Sequence, residues 1–302
     1  MKIKRYTKLV LIRTAEQKFP FLTRIQNHLL RYLLSFLISL PFSYVLFDKQ
    51  KVLIPYLELV ITESCSLKCV DCANLMQYYQ QPVSYEKEQI IREIDRLEAI
   101  GAHIYVLQVL GGEPLLHREL AEILTYLGQK DFIDEIRLIT NGTIMPGKEL
   151  LQLLKHPKIL VKVSNYGWYS RKKEELLTAC KAQGIRFACD EQLMWQDYGD
   201  VSDKKLDHQR LCRSYRECAA AECKTLIGGR IFSCPRSAHM HRLGYITDSR
   251  DSFDLMAEPF HKEKLIEFYG QEYIAACRCC NPPWEREEIP AGRQSSSWAD
   301  GD

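Results

Sequence analysis

Three cysteines stand at C-x3-C-x2-C in the stretch Glu63-Ser64-Cys65-Ser66-Leu67-Lys68-Cys69-Val70-Asp71-Cys72, directly after the apolar run from Val52 to Ile61. Three thiols on one short loop are hard to account for by packing alone. Cysteine thiolates are the usual ligands of iron–sulfur clusters. A [4Fe–4S] cluster needs four ligands, so three cysteines leave one iron open to something that is not protein. The bland use of the same residues is a trio of buried or disulfide-bonded cysteines.

A second candidate, Leu110-Gly111-Gly112-Glu113-Pro114, ends the strand-like run from Ile104 to Leu110. Glycines admit close backbone approach to a ligand, although a lone Gly-Gly-Glu-Pro is usually a turn. A further group of cysteines lies towards the end: Cys212, Cys218, Cys223, Cys234, Cys277, Cys279 and Cys280. Lys224 to Ser233 reads as a hairpin turning at Gly228-Gly229, with Cys223 and Cys234 on its arms. Cys277 and Cys280 form a C-x2-C pair from another segment. Those four make one closed thiolate site, and spacing alone leaves zinc and an iron–sulfur cluster both open.

The elements that must position these residues alternate between strand and helix. Val52 to Thr62 is apolar and β-branched enough for a buried parallel strand. Ser84 is placed to cap a helix carrying Ile90, Ile91, Ile94, Leu97 and Ile100 at helical spacing, closed by Gly101. Strands are expected at Ile104 to Leu110, Ile136 to Thr140, Ile159 to Val163 and Ile185 to Ala188, with helices through Leu120–Leu127, Leu150–Leu154 and Arg171–Lys181. This is an α/β pattern with a parallel, barrel-like sheet. The chemistry-bearing stretches all follow strands: Cys65, Gly111, Asn141, and Ser164-Asn165-Tyr166. That is the end at which parallel barrels gather their chemistry.

The cysteine loop followed by Gly-Gly-Glu-Pro resembles the radical S-adenosylmethionine (radical SAM) enzymes. The resemblance covers residues 52 to about 280 and implies a partial (β/α)6 barrel with a small cysteine-rich C-terminal module. It implies that Cys65, Cys69 and Cys72 hold a [4Fe–4S] cluster whose open iron takes S-adenosylmethionine. Gly111, Gly112 and Glu113 would then position that cosubstrate, Glu113 accepting from its ammonium. Asn141, Ser164 and Asn165 would touch its carboxylate or ribose, where the residues by themselves allow simple strand-end turns. Cys223, Cys234, Cys277 and Cys280 resemble the auxiliary [4Fe–4S] ligands of twitch or SPASM modules, with a Gly-x4-Cys hairpin from Gly229 to Cys234, and the resemblance makes Cys218 the substitute for Cys223. Two departures stand out. Asp71 replaces the aromatic residue common before the third cysteine, and the full SPASM run of cysteines is missing.

The implied reaction is reductive cleavage of S-adenosylmethionine to a 5′-deoxyadenosyl radical and hydrogen-atom abstraction from a substrate. A peptide or protein substrate is one expectation, and a sugar or polysaccharide precursor is the other. A non-catalytic iron–sulfur electron carrier or regulator is the reading from another class. A flavodoxin or ferredoxin reductant follows from the enzyme reading. Cys212 and Cys279 are either hydrogen-atom donors near the radical or mere neighbours of the ligands. His239 and His241 are expected at the surface or at the substrate. Cys180 is expected in the core.

The 302 residues fall into an N-terminal basic and apolar extension (1–50), the barrel (51–200), the cysteine-rich module (201–285) and a disordered tail (286–302). A hydrophobic content of 46% suffices for a core, and a net charge of +2 points to no nucleic-acid partner. Twelve clustered cysteines suit a reducing interior and metal binding, hence a cytoplasmic protein. Tyr32 to Phe47 is uncharged but short for a bilayer span and is cut by Pro41. Residues 16–47 therefore read as helices packed on the barrel or lying on a membrane surface.

Overall fold

The computed structural model describes Leu30, Leu34, residues 52–191 and residues 193–294. The expectations for residues 1–50, other than those two leucines, and for residues 295–302 lie outside the described residues. No helix among the described residues is long and apolar enough to cross a membrane.

The first expected strand is split at Pro55, which has no N–H to give a ladder, into β1 (Val52–Ile54) and β2 (Leu57–Thr62). Then follow α1 (Lys87–Ala99), β3 (Ala102–Gly111), α2 (Leu120–Gly128), β4 (Ile133–Thr140), α3 (Lys148–Leu153), β5 (Ile159–Asn165), α4 (Lys173–Gln183) and β6 (Phe187–Glu191). Ser84 does not cap α1. The helix starts after Glu86 without a side-chain cap, and the Ser84 hydroxyl lies 2.8 Å from that of Thr62. Gly101 closes the helix at φ 71° as expected.

Strands β2 to β6 pair in parallel and in sequence order. Their inward rows and the helices' apolar stripes form one core, with Ile54, Leu57, Leu59, Ile104, Leu107 and Ile136 fully buried.

The remainder comprises β7 (Met194–Gln196), α5 (His208–Glu217), β8 (Lys224–Ile227), β9 (Arg230–Phe232), α6 (Pro235–Arg242), β10 (Ser252–Asp254), α7 (Lys262–Tyr269) and β11 (Glu288–Pro290). The expected hairpin is present as β8–β9, yet it does not stand apart. β8 pairs in parallel with β2, which makes it the sixth parallel strand of the sheet. Leu226, Ile231 and Phe232 enter the barrel core, whereas Cys277 and Cys279 sit in a second small core with Leu75, Leu211 and Met240. Of the tail expected to be disordered, the described residues 286–294 are ordered: β11 pairs with β7, and Gln294 bridges to Cys69.

Candidate active site

The loop after β2 carries Cys65, Cys69 and Cys72 into the wall of a cavity of about 510 Å³, which Gly111, Gly112, Asn141 and Ser164 also line. Burial pushes the thiols of Cys65 and Cys69 up to about 12. It raises Cys72 as well, against donation from the backbone around Asn74 to Met76 and the charge of Arg236. Such thiols stay protonated until a metal ion displaces the proton. Three of them around one cavity wall suit ligation.

The paired glycines work differently from expectation. The Gly112 N–H donates to the Thr62 carbonyl at 3.0 Å, and the Glu113 N–H to the Ser64 carbonyl at 2.8 Å. A Cβ on Gly111 would stand 2.2 Å from the Thr62 oxygen, and one on Gly112 2.3 Å from the Ser64 oxygen and 2.6 Å from Cys65 Cβ. Their first duty is to let the β3 end lie against the backbone of the cysteine loop.

The Glu113 side chain is fully buried and does not line the cavity. One carboxylate oxygen accepts from the Leu115 N–H at 3.1 Å. The other accepts from the Thr140 hydroxyl at 3.0 Å and the Asn141 N–H at 2.8 Å. Burial pushes the carboxyl up to about 7 despite these donors. It clamps the ends of β3 and β4 together and does not present itself to a ligand.

Asn141 spends its side-chain amide on the cysteine loop, donating to Ser66 Oγ at 3.0 Å and more weakly to Cys65 Sγ at 3.8 Å. Ser164 reaches the cavity. Asn165 does not, its Oδ1 accepting from the Gly167 N–H at 2.9 Å in a strand-end turn.

The segment after β11 holds the loop from outside. Gln294 accepts from the Lys68 N–H at 2.7 Å and donates from Nε2 to Cys69 Sγ at 3.2 Å. The Val70 N–H donates to the Arg293 carbonyl at 2.9 Å. Arg293 pairs with Asp71 at 3.0 Å. Sequence reasoning missed both residues, because nothing in a Gly-Arg-Gln-Ser tail announces a partner more than 200 positions away.

In the second set, Cys277 and Cys280 are buried and Cys234 half-buried, and each thiol is raised by burial first. Their mutual charges and that of Cys218 add to the rise for Cys234 and Cys277. Cys223 sits to one side, sharing a charge interaction with Cys234 but facing Glu58. Cys218, the substitute, shares charge interactions with Cys234, Cys277 and Cys280, whereas Cys223 shares one with Cys234. Among the described residues, His208, Cys212 and Glu272 form the group whose ligand atoms come within 4.8 Å of one another; neither cysteine set is that tight. Cys212 belongs to that surface group on α5 and does not line the cavity. Cys279 is buried beside Cys280 and does not line it either.

Arg236, on α6, is 3% exposed. It donates to the Asp200 carbonyl at 2.7 Å, and its charge falls on Cys72 of the first loop and on Cys279 and Cys280 of the second set. Of the two histidines beside it, His239 is buried and His241 half-buried. His239 is fully buried against the Tyr79 hydroxyl at 2.8 Å, and burial pushes it down to about 3. His241 meets the Asp248 carbonyl at 2.9 Å. Cys180 is in the core as expected.

The three-thiol loop and the glycine pair thus meet at neighbouring strand ends of a parallel α/β sheet, on one cavity wall. The model of the Radical SAM superfamily matches residues 59–166, so that stretch of the chain is similar to the domain of the radical SAM enzymes. Over 105 residues it is 27% identical to a GTP 3′,8-cyclase of Limosilactobacillus fermentum, which is 34% of this chain and 31% of that protein. Over 95 residues it is 33% identical to a GTP 3′,8-cyclase of Stenotrophomonas maltophilia, 30% of this chain and 28% of that protein. The chain thus spans about a third of the length of these curated relatives. The solved structure of BtrN in complex with AdoMet and 2-DOIA aligns with a TM-score of 0.48 at 15% identity, covering 76% of this chain and 94% of that one.

Proposed function

We propose that this protein is a radical SAM enzyme that binds a [4Fe–4S] cluster through Cys65, Cys69 and Cys72 and abstracts a hydrogen atom from a substrate held in the same cavity. The observation that carries this reading is the convergence of the three thiols, Gly111, Gly112, Asn141 and Ser164 on one cavity wall. When bound, the cluster and S-adenosylmethionine, with a flavodoxin- or ferredoxin-type reductant, supply a 5′-deoxyadenosyl radical. The chain's own residues do the rest. The glycines and Glu113 fix the loop against the strand ends, Gln294 and Asn141 donate towards the sulfurs, and the cavity excludes water.

The second set suits an auxiliary [4Fe–4S] cluster on Cys218, Cys234, Cys277 and Cys280. A buried guanidinium needs an anion nearby, and thiolate-ligated clusters on both sides of Arg236 would provide it.

A cavity of about 510 Å³ falls in the usual range for one small ligand, about 300–1,000 Å³. With the cosubstrate inside, the substrate portion is a single residue of a peptide or protein, or a sugar-sized molecule. The GTP of the curated relatives' names is not adopted, because no Lys, Arg or His among the described residues lines the cavity to take phosphates.

The test is anaerobic reconstitution with dithionite and S-adenosylmethionine. We expect 5′-deoxyadenosine from the parent and none from the triple Cys65→Ala/Cys69→Ala/Cys72→Ala variant, with iron falling by half. Absence of 5′-deoxyadenosine across several reductants would leave an electron-carrier protein instead.

A further inference from the structure

The cavity floor carries a carboxyl that neither the cysteine loop nor the glycine pair uses, pushed up to about 7 by burial in the absence of a cation. Glu58 of β2 lines it and is only 6% exposed. Along the sheet it lies between Thr225 of β8 and Gln108 of β3, its register partners on either side. The Thr225 hydroxyl donates to Glu58 Oε2 at 3.0 Å. Gln108 Nε2 and the Tyr56 hydroxyl approach Oε1, each at 3.5 Å. All three are neutral donors. Arg137, the register partner of Gln108 one strand further on, is committed to Glu135 at 2.6 Å.

The carboxylate is therefore oriented by three groups and compensated by none of the cations around it. Taking a carboxylate out of water costs several kcal/mol unless a cation meets it. The rest of the lining deepens the imbalance. Glu191 stands at the rim, Asp71 is already paired with Arg293, and no basic side chain among the described residues faces the space. A phosphorylated ligand would meet like charge here, which costs several kcal/mol in a desolvated site.

We infer that the substrate of this cavity bears a primary ammonium group and that Glu58 is the carboxylate that receives it. The inference rests on the enzyme reading above and names the chemistry of its substrate. Thr225 and Gln108 hold the carboxylate in place, so the ammonium replaces no protein partner when it binds. An ammonium of this kind comes either from an amino sugar or from a lysine side chain.

The experiment is binding to reconstituted full-length protein with S-adenosylmethionine present, measured by saturation-transfer NMR and calorimetry at millimolar probe. One arm compares D-glucosamine, D-glucose and D-glucose 6-phosphate. The other compares N-acetyl-lysinamide with N-acetyl-norleucinamide. We expect the amine of at least one arm to bind and its neutral and phosphorylated partners to bind at least about tenfold more weakly. Glu58→Gln should erase that preference, a charge-assisted hydrogen bond being worth about a tenfold to hundredfold in affinity. Thr225→Val, which loosens the carboxylate without removing it, should give a smaller loss and guards against a fold defect in the first variant. Iron content and S-adenosylmethionine affinity should stay at the parental level in both.

Four results would overturn the inference: no amine binding in either arm, a phosphorylated probe binding best, an unchanged preference in Glu58→Gln, or an equal loss of S-adenosylmethionine affinity. The last would assign Glu58 to the cosubstrate. Loss of 5′-deoxyadenosine formation in the parent would instead count against the enzyme reading, which separates the two failures.

Discussion

Replacing Gly112 by Ala tests how the cysteine loop is held. The added Cβ would lie 2.3 Å from the Ser64 oxygen and 2.6 Å from Cys65 Cβ. Both neighbours belong to or adjoin the main chain, so no rotamer change relieves the overlap. Restoring ordinary contact moves the loop by about 1 Å, a displacement that can cost around a hundredfold in a positioned site. The move also strains the two backbone hydrogen bonds at 3.0 and 2.8 Å that tie the segments. Each buried group left without its partner costs about 1–3 kcal/mol. The comparison is Gly147→Ala, where φ is −65° and nothing lies within 4 Å of the new methyl group; its cost should stay near 1 kcal/mol or below. Iron and sulfide content, thermal unfolding and 5′-deoxyadenosine yield are measured in parallel. We expect Gly112→Ala to lose most of the loop-bound iron and nearly all turnover while Gly147→Ala keeps both. Parental iron and turnover in Gly112→Ala would refute the claim that the glycine pair exists for this contact.

The second cysteine set can be read by iron analysis and Mössbauer spectroscopy: Cys277→Ala/Cys280→Ala should lose one [4Fe–4S] cluster yet still release 5′-deoxyadenosine, and one equivalent of zinc in the parent would end the cluster assignment. Cys218→Ala should show the same loss, whereas Cys223→Ala should keep its iron; the reverse result would restore Cys223 as the ligand. For Glu113, a folded-state carboxyl near 7 against about 4.5 unfolded means that its contribution to stability is intact below pH 4.5 and is lost as pH rises to about 7. Thermal unfolding followed from pH 4.5 to 8 should show this fall, on the order of 3 kcal/mol, and Glu113→Gln should flatten it.

What the sequence disclosed was what depends on neighbours in the chain. The three-cysteine loop, the glycine pair and the strands before them are local patterns, and the strand ends came out where alternation of apolar runs put them. Glu113 was legible as part of a motif but not in its role, because its partners Leu115, Thr140 and Asn141 come from two segments and meet only in the fold. Ser84 looked like a helix cap because its type suits one; a hydroxyl contact with Thr62 took it instead. The stretch after Ile289 lacks apolar periodicity and so reads as disordered. The order of its described residues, up to Gln294, comes from β7 and the cysteine loop, to which they add backbone and amide contacts. His239 gave no sign of burial, since a histidine near cysteines is as easily a ligand as a core residue.

The hairpin was legible as a hairpin and misleading as a boundary. Two glycines and flanking apolar residues announce the turn, but they cannot say which edge β8 will join. By pairing in parallel with β2, β8 sets Thr225 beside Glu58 on the cavity side of the sheet and brings Cys223 to face the same glutamate. The chain that follows β9 carries Cys234 and then, on α6, Arg236, whose charge reaches both cysteine sets. One strand pairing therefore accounts for the closeness of the two sets and for the acidic floor between the barrel strands and the hairpin. A substitution that loosened β8 from β2 would disturb the cavity and the second set together, which a separate appended module would not do.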